Sequence, residues 1–383
     1  MAHVSESVLP HKLSLINHPM AVWCRSFLKT VTYHRRFIIK TTVNFTYIRR
    51  MSGDTKSLKI GTHNGTFHCD EVLACFMLKQ LPQYKDSEIV RSRDQAILDT
   101  CDIVVDVGGV YDPKKHRYDH HQRSFNESMS SLCDGKAWVT KLSSAGLVYL
   151  HFGRRLLAQI FELTAEDPIV ETVYDLMYEG FIEEIDGVDN GVNQYDGEPR
   201  YKVTTTLSSR VRNLNPAWNE TSFDEQGQFM KAMEMVGSVF LDRVLFYKNS
   251  WLPARSLVEE ALNNRHKVDE SGEIVCLSAG GCPWKEHLFQ LEKSLDVSPT
   301  IKYMLYTDTA GKWRIQCVPV RPDSFSNRLS LPSDWQGLRD DELIKKSGIP
   351  GCIFVHANGF IGGNQTYEGV LAMAKYSLKQ QIT

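Results

Sequence analysis

Four short clusters of histidine and carboxylate punctuate the chain, and their residue types point to metal-assisted hydrolysis. The first, His63-Asn64-Gly65-Thr66-Phe67-His68-Cys69-Asp70-Glu71, sets two imidazoles beside Asp70 around a glycine-containing loop. Such nitrogen and oxygen donors suit Mn²⁺ and Mg²⁺ at near-octahedral sites, although the same residues also gather in helix caps and solvated loops. Asp106 interrupts the apolar run Ile103-Val104-Val105-Asp106-Val107-Gly108-Gly109. Buried unpaired, it would be costly, so it either caps a turn or bridges cations. The third cluster, His116 to Arg123, packs three histidines, one acid and two arginines into eight residues. Its adjacent His120 and His121 project differently, so one can meet a cation while the other faces substrate, and Asp119 can orient the pair. The fourth, Glu183 to Gly191, puts acids at a helix C-terminus. There they oppose the helix dipole by roughly 0.3–1 kcal/mol, a penalty that a bound cation would offset.

These clusters need a scaffold that brings them together. Leu58 to Gly61 reads as a buried strand, followed by a polar loop and the apolar helix Glu71 to Leu81. Glu88 to Arg91 and Ile103 to Val107 read as further strands with a helical turn, Gln95 to Leu98, between them. That β-α-β rhythm implies a parallel sheet, in which the carboxyl ends of strands face the ligand crevice. Helices are expected over Ser143 to Phe161 and Pro168 to Ile185, the second closed by Asp186-Gly187. Asp196 to Phe223 is irregular and loop-like; Arg210, Arg212 and Trp218 in it are candidates for holding a single strand, or serve only solubility and anchoring.

Farther on, Phe229 to Asn263 reads as largely helical. Ile274 to Leu277, Ile301 to Tyr306, Trp313 to Val320 and Cys352 to His356 read as strands, with a hairpin through Asp308 to Gly311 and a closing helix Gln365 to Lys379. The expected fold class is α/β: an N-terminal, mostly parallel-sheet catalytic domain over 51–195, a linker over 196–227, and a smaller α+β substrate-closing domain over 228–383. In the last of these, Arg321 and His356 are assigned to phosphate binding. Gly362 and Gly363 join them as backbone that cradles an anion, with a tight turn as the alternative.

The 383 residues can bury a substantial core, and no apolar run approaches the roughly 18 residues a bilayer crossing needs. Membrane insertion is therefore not expected. Residues 1–50 hold eight of the 44 lysines and arginines but one acid, Glu6, so the remainder is acidic. An Arg-rich, acid-poor leader of this kind reads as a mitochondrial transit peptide or a disordered basic tail. Initiation at Met51 would give a product without it, so matrix and nucleus are both expected destinations. The nine scattered cysteines include no Cys-x-x-Cys pair, which argues against a disulfide framework and a four-thiolate site. Cys69 reads as a spacer or packing residue. No Gly-x-Ser-x-Gly elbow or Gly-x4-Gly-Lys phosphate loop occurs, so no serine hydrolase or nucleotide-triphosphate motor is supported.

Taken in order, Thr62-His63 through Asp70, Asp106, Asp119-His120-His121 and Asp186 resemble the DHH phosphoesterase superfamily, which includes RecJ-like exonucleases and manganese-dependent pyrophosphatases. The fuller wording of these motifs, across residues 56–380, is similar to the melanocyte-proliferating-gene exonuclease family. The resemblance implies a metal-dependent phosphodiester hydrolase, a 3′–5′ exoribonuclease acting on single-stranded RNA with two divalent ions, Mn²⁺ first and Mg²⁺ second. It implies that His63, His68 and Asp106 hold one ion and that Asp70, Asp106, His120 and Asp186 hold the other. Asp186 is chosen over Asp189 because it directly follows the helix. His121 would contact the scissile phosphate and Asp119 would position the histidine pair; these two are the catalytic assignments. His68 stands where many superfamily members carry aspartate. A pyrophosphatase, an exopolyphosphatase, an oligonucleotide phosphoesterase and a non-catalytic metal-binding regulator are the competing readings.

Overall fold

The computed structural model describes residues 57–380; the basic leader and Met51 lie outside the described residues. It is a mixed α/β structure with two five-stranded sheets. The first sheet has the order β2-β1-β3-β5-β4, formed by β1 (Lys59–Thr62), β2 (Glu88–Arg91), β3 (Ile103–Val105), β4 (Tyr111–Asp112) and β5 (Arg117–Tyr118). β1 runs parallel to β2 and β3, and β3 parallel to β5, while β4 joins antiparallel at the edge. Side-chain alternation sends Ile60, Ile103 and Val105 to a large core on one face, and Val104 to a small cluster with Leu98 and Cys101 on the other.

β3 ends two residues earlier than its apolar run suggests. Asp106 adopts the left-handed region at φ 60°, and Gly108 and Gly109 follow at φ 98° and 68°. An aspartate tolerates that region better than most side chains, and the two glycines carry the chain through the turn without a Cβ clash. The turn aims the Asp106 carboxylate out of the sheet edge. The pair β4 and β5 was not anticipated, because two-residue strands carry no periodicity.

Helix Cys69–Lys79 starts directly after the first loop, where the His68 amide donates to both Glu71 carboxylate oxygens at 2.8 and 3.0 Å. It is buried on nearly every side, lying among the sheet, helix Ser144–Phe161 and helix Glu225–Phe246, whose Phe229, Val236 and Phe240 share its core. The closest approach is at Gly237, where an added Cβ would come within 2.1–2.5 Å of the Phe76 ring. Gly237→Ala should therefore destabilise the fold by about 1–3 kcal/mol, because overpacking forces the ring and helix apart. A thermal midpoint equal to that of the unaltered protein would show that the contact is not tight.

The stretch expected as one helix over Pro168 to Ile185 is Pro168–Met177, a π-helical turn Tyr178–Ile182, and Glu183–Asp189. The helix thus continues past Asp186 to Asp189, and the wider turn changes the phase of its last residues. A short helix, Leu207–Arg212, also forms inside the stretch read as irregular; Val211 anchors it in the core.

The second sheet has the order β6-β7-β8-β10-β9, from β6 (Ile274–Cys276), β7 (Tyr303–Thr307), β8 (Trp313–Cys317), β9 (Cys352–Val355) and β10 (Ile361–Asn364). Only β6 and β7 pair in parallel. Alternation along β7 sends Tyr303 and Leu305 toward helix Tyr367–Lys379, and Met304 toward the side packed by helices Leu252–Asn263 and Lys285–Ser294. The loop expected over 360–364 is instead the strand β10, whose small residues allow close packing: a Cβ on Gly362 would meet Leu331 and the Phe354 carbonyl at 3.1 Å.

Candidate metal centre

The C-terminal ends of β1, β3 and β5 open at one edge of the first sheet, so the loops after them meet there. Among the described residues three histidine and carboxylate sets occur, two of them around Asp106, His63-His68-Glu71-Asp106 and Asp106-His120-His121; the third is His68-Asp70-Asp189. His63 Nε2 lies 3.1 Å from Glu71 Oε1 and 3.3 Å from Asp106 Oδ2. On the other side of Asp106, His120 Nε2 lies 3.1 Å from Oδ1, 3.2 Å from Asp189 Oδ2 and 3.9 Å from Asp70 Oδ2. Asp106 is thus the carboxylate common to two histidine-bearing groups.

Asp119 sits outside this ring of donors and holds His121. Its Oδ1 accepts from the His121 amide at 3.1 Å and lies 2.8 Å from His121 Nδ1, while Oδ2 accepts from Gly109 N at 2.6 Å. With Nδ1 fixed, the exposed His121 ring presents Nε2 outward. The same contacts tie the turn after β3 to the segment after β5.

The electrostatics show what the donor set needs. Burial raises the Glu71 carboxyl to about 8, and burial together with the Asp70 charge raises Asp189 to about 9. Burial and the nearby Asp106 charge also raise Asp70. Burial alone would lower His63 and His120, but hydrogen bonds to Asp106 outweigh it, aided by Glu71 for His63 and Asp70 for His120, and hold them at about 10 and 9. Asp106 is pushed down despite its burial, because both imidazoles bond to it. Protons therefore hold together a set of like charges that a divalent cation would hold in their place. Asp70 Oδ1 is buried without a hydrogen-bond partner among the described residues, while its Oδ2 accepts from Ser144 N and Oγ at 3.3 and 2.7 Å. The donors are imidazole nitrogens and carboxylate oxygens, with the buried Cys69 thiol kept neutral by burial. This chemistry fits hard to borderline divalent ions.

His63, His68, Asp70, Asp106, His120 and His121 are brought together, with Asp119 bonded to His121. Asp186 stands apart. It is wholly buried, and its Oδ1 accepts from Ser143 N at 2.9 Å, Ser143 Oγ at 2.6 Å and Gly146 N at 3.1 Å, while Tyr178 donates to Oδ2 at 3.1 Å. Those bonds cap the N-terminus of helix Ser144–Phe161, where a carboxylate satisfies free amides. Asp189, one turn later, faces the cluster in its place. Glu71, the last residue of the first motif, also joins the cluster; its place beside Asp70, three residues after His68, is the signal the sequence offers, and in the structure it accepts the His68 amide.

The C-terminal candidates are elsewhere. Arg321 is exposed beside Asp323, and exposed His356 accepts the Asn358 amide. Gly362 and Gly363 lie in β10, which is paired on both sides, so their backbone serves the sheet and does not form an anion-cradling loop. None of these four lines the clefts at the cluster.

Two clefts adjoin the cluster and share His68 and His121 as a common wall. One, of about 440 Å³, is lined also by Phe67, Lys141, Asn190, Ser208 and Arg212. The other, of about 490 Å³, carries Arg93, Gly108, Gly109 and Gln122. No helix among the described residues is long and apolar enough to cross a membrane.

Comparison with known proteins places this arrangement in a family. Residues 59–378 match the model of the MYG1 exonuclease family, described as an uncharacterised protein family (UPF0160). The MYG1 exonuclease of Rattus norvegicus is 62% identical over 324 residues, covering 84% of this chain and 85% of the relative. That of Homo sapiens is also 62% identical, covering 84% and 86%. The MYG1 protein of Caenorhabditis elegans is 50% identical, covering 84% and 95%. No solved structure matches the chain. A family model spanning both sheets, and relatives alike over most of both lengths, establish that this chain belongs to the MYG1 family.

Proposed function

We propose that this chain is a metal-dependent exonuclease of the DHH phosphoesterase type, removing nucleotides from the 3′ end of single-stranded RNA with two divalent ions, Mn²⁺ foremost. That it is an enzyme, a hydrolase of the nuclease class, rests on relatives 62% identical that are named exonucleases. The observation that carries the finer reading is Asp106, shared between the His63 and His120 groups at one sheet edge. Paired divalent ions at such a carboxylate would activate water and neutralise charge on the phosphate and departing oxygen. The protein's own part is to orient the scissile phosphate through His121, held by Asp119, and to keep the donor ring buried and fixed. No protein nucleophile is needed.

The test is hydrolysis of end-labelled RNA, matched DNA and pyrophosphate by the full chain, with Mn²⁺ and after chelation. RNA should shorten from its 3′ end only with the ion present. Removing the ion should also lower the unfolding temperature, since the raised carboxyl groups then lose their counter-charge. Release of phosphate from pyrophosphate without RNA cleavage would sink the exonuclease reading. Turnover and melting both indifferent to chelator would sink the metal centre. The basic first 50 residues motivate matrix targeting, with a nuclear product begun at Met51. Reporter fusions with and without residues 1–50 that localise alike would defeat that proposal.

A further inference from the structure

The Lys141 side of the metal cluster is built differently from its Arg93 side. Lys141 is placed beside Asp189 by the helix end itself, because Asn190 Nδ2 donates to the Lys141 carbonyl at 2.9 Å. Arg212 closes the same cleft from the end of helix Leu207–Arg212. Neither cation has a carboxylate partner among the described residues, although Asp70 and Asp189 line the same cleft; Lys141 rests over the Phe125 ring, 5.7 Å from its centroid. Two unpaired cations at the rim of a cleft floored by cation-binding groups suit a polyanion that continues beyond the metal centre.

The segment after Arg212 carries an exposed aromatic side chain a few residues along the chain from that rim. Asn215 grips the backbone of Phe67, a wall of the cleft, by two bonds: it accepts the Phe67 amide at 2.9 Å and donates to the Phe67 carbonyl at 2.8 Å. Leu214 and Phe223 pack against the core on either side of the loop. Between them a turn closes, with the Glu220 amide donating to Ala217 O at 3.0 Å and the Ala217 amide to Glu220 Oε2 at 3.3 Å. Trp218 stands at the tip of this turn, 97% exposed, three residues from the Phe67 clamp. An indole held out in water by an anchored turn lacks the packing that usually accounts for tryptophan, whereas a nucleobase would cover it.

We infer that this rim is the chain-binding subsite for a single-stranded polynucleotide: Lys141 and Arg212 hold backbone phosphates adjoining the scissile one, and Trp218 stacks a base farther along. The inference rests on the nuclease reading above and extends it to the part of the substrate that is not cleaved.

The test is steady-state cleavage of a short single-stranded oligoribonucleotide by the full chain with Mn²⁺, at several salt concentrations. Arg212→Ala and Lys141→Ala should each raise KM about tenfold or more, the loss expected for a hydrogen bond to a charged phosphate. Each should also flatten the dependence of log affinity on log salt by about 0.7. Trp218→Ala should raise KM at least about fivefold, and Trp218→Phe should recover most of the loss. Arg212→Lys should restore the salt slope. KM within twofold of the unaltered protein in all three alanine variants overturns the subsite, while wild-type cleavage upholds the nuclease. A loss that the conservative variants do not recover, with a lowered unfolding temperature, assigns the segment a structural role and overturns it too. If the unaltered protein cleaves no oligonucleotide, the nuclease reading itself falls.

Discussion

Asp106→Asn should reduce phosphodiester cleavage by about 10³-fold or more while leaving the chain folded, the scale expected when a charge-stabilising group in a preorganised site is lost. Asparagine is the informative substitution because residue 106 sits at φ 60°, a region asparagine tolerates and alanine does not. The change keeps the turn, the amide bond to Tyr118 O at 3.1 Å and much of the side-chain volume, and removes the charge that His63 and His120 share together with one of the two accepting oxygens that face them. Asp106→Ala would confound that loss with backbone strain of about 1–3 kcal/mol. The measurements are the initial rate on labelled RNA with Mn²⁺ and the thermal unfolding curve. A rate for the Asp106→Asn variant within tenfold of the original would remove Asp106 from the centre of the chemistry. A variant that fails to fold would instead give the carboxylate a structural role.

The motifs of this centre were legible because each is local. An acid or histidine at the end of an apolar run marks a strand edge, and a parallel sheet gathers such edges, so the His63 loop and Asp106 could be placed together from residue type and rhythm. The ligand role of His120, which follows a strand without periodicity, came instead from the family resemblance. What sequence did not reveal depends on phase or on distant neighbours. Gly362-Gly363 reads locally as an anion-cradling loop or a tight turn; it is a strand paired with β9 and with β8, a segment distant in the chain, and Leu331, Phe354 and Met373 lie close to Gly362. Helix Glu225–Phe246 is visible in its apolar spacing, but that its Gly237 and Phe229 pack on Phe76 and Phe67 depends on partners many residues away. The pair β4 and β5 is flanked by Gly109 N donating to Asp119 Oδ2 at 2.6 Å, a contact with no periodic trace.

The choice between Asp186 and Asp189 belongs to that second kind and leads to the sharpest contrast the structure offers. Both carboxylates lie on one helix, three residues apart and therefore on nearly one face. Their environments part them: Asp186 is enclosed by Ser143, Gly146 and Tyr178, and a Cβ on Gly146 would lie only 2.5 Å from its Oδ1. Asp189 lies in the last turn, 3.2 Å from His120 Nε2 and open to the cleft. Asp186→Ala should thus cost about 2–4 kcal/mol of stability, because it strands two buried amides and two hydroxyls and leaves a void. Asp189→Ala should cost far less stability in cation-free buffer near neutral pH, since the carboxyl, raised to about 9, is then protonated and open to the cleft. Cleavage should nevertheless fall by about 10²-fold or more, with Mn²⁺ affinity falling in parallel. Paired measurement of melting temperature and Mn²⁺ titration on the two variants decides the matter. If Asp186→Ala melts normally but loses the ion, while Asp189→Ala keeps it, the ligand is Asp186 after all. The capping bonds to Ser143 and Gly146 would then have to open whenever the ion enters.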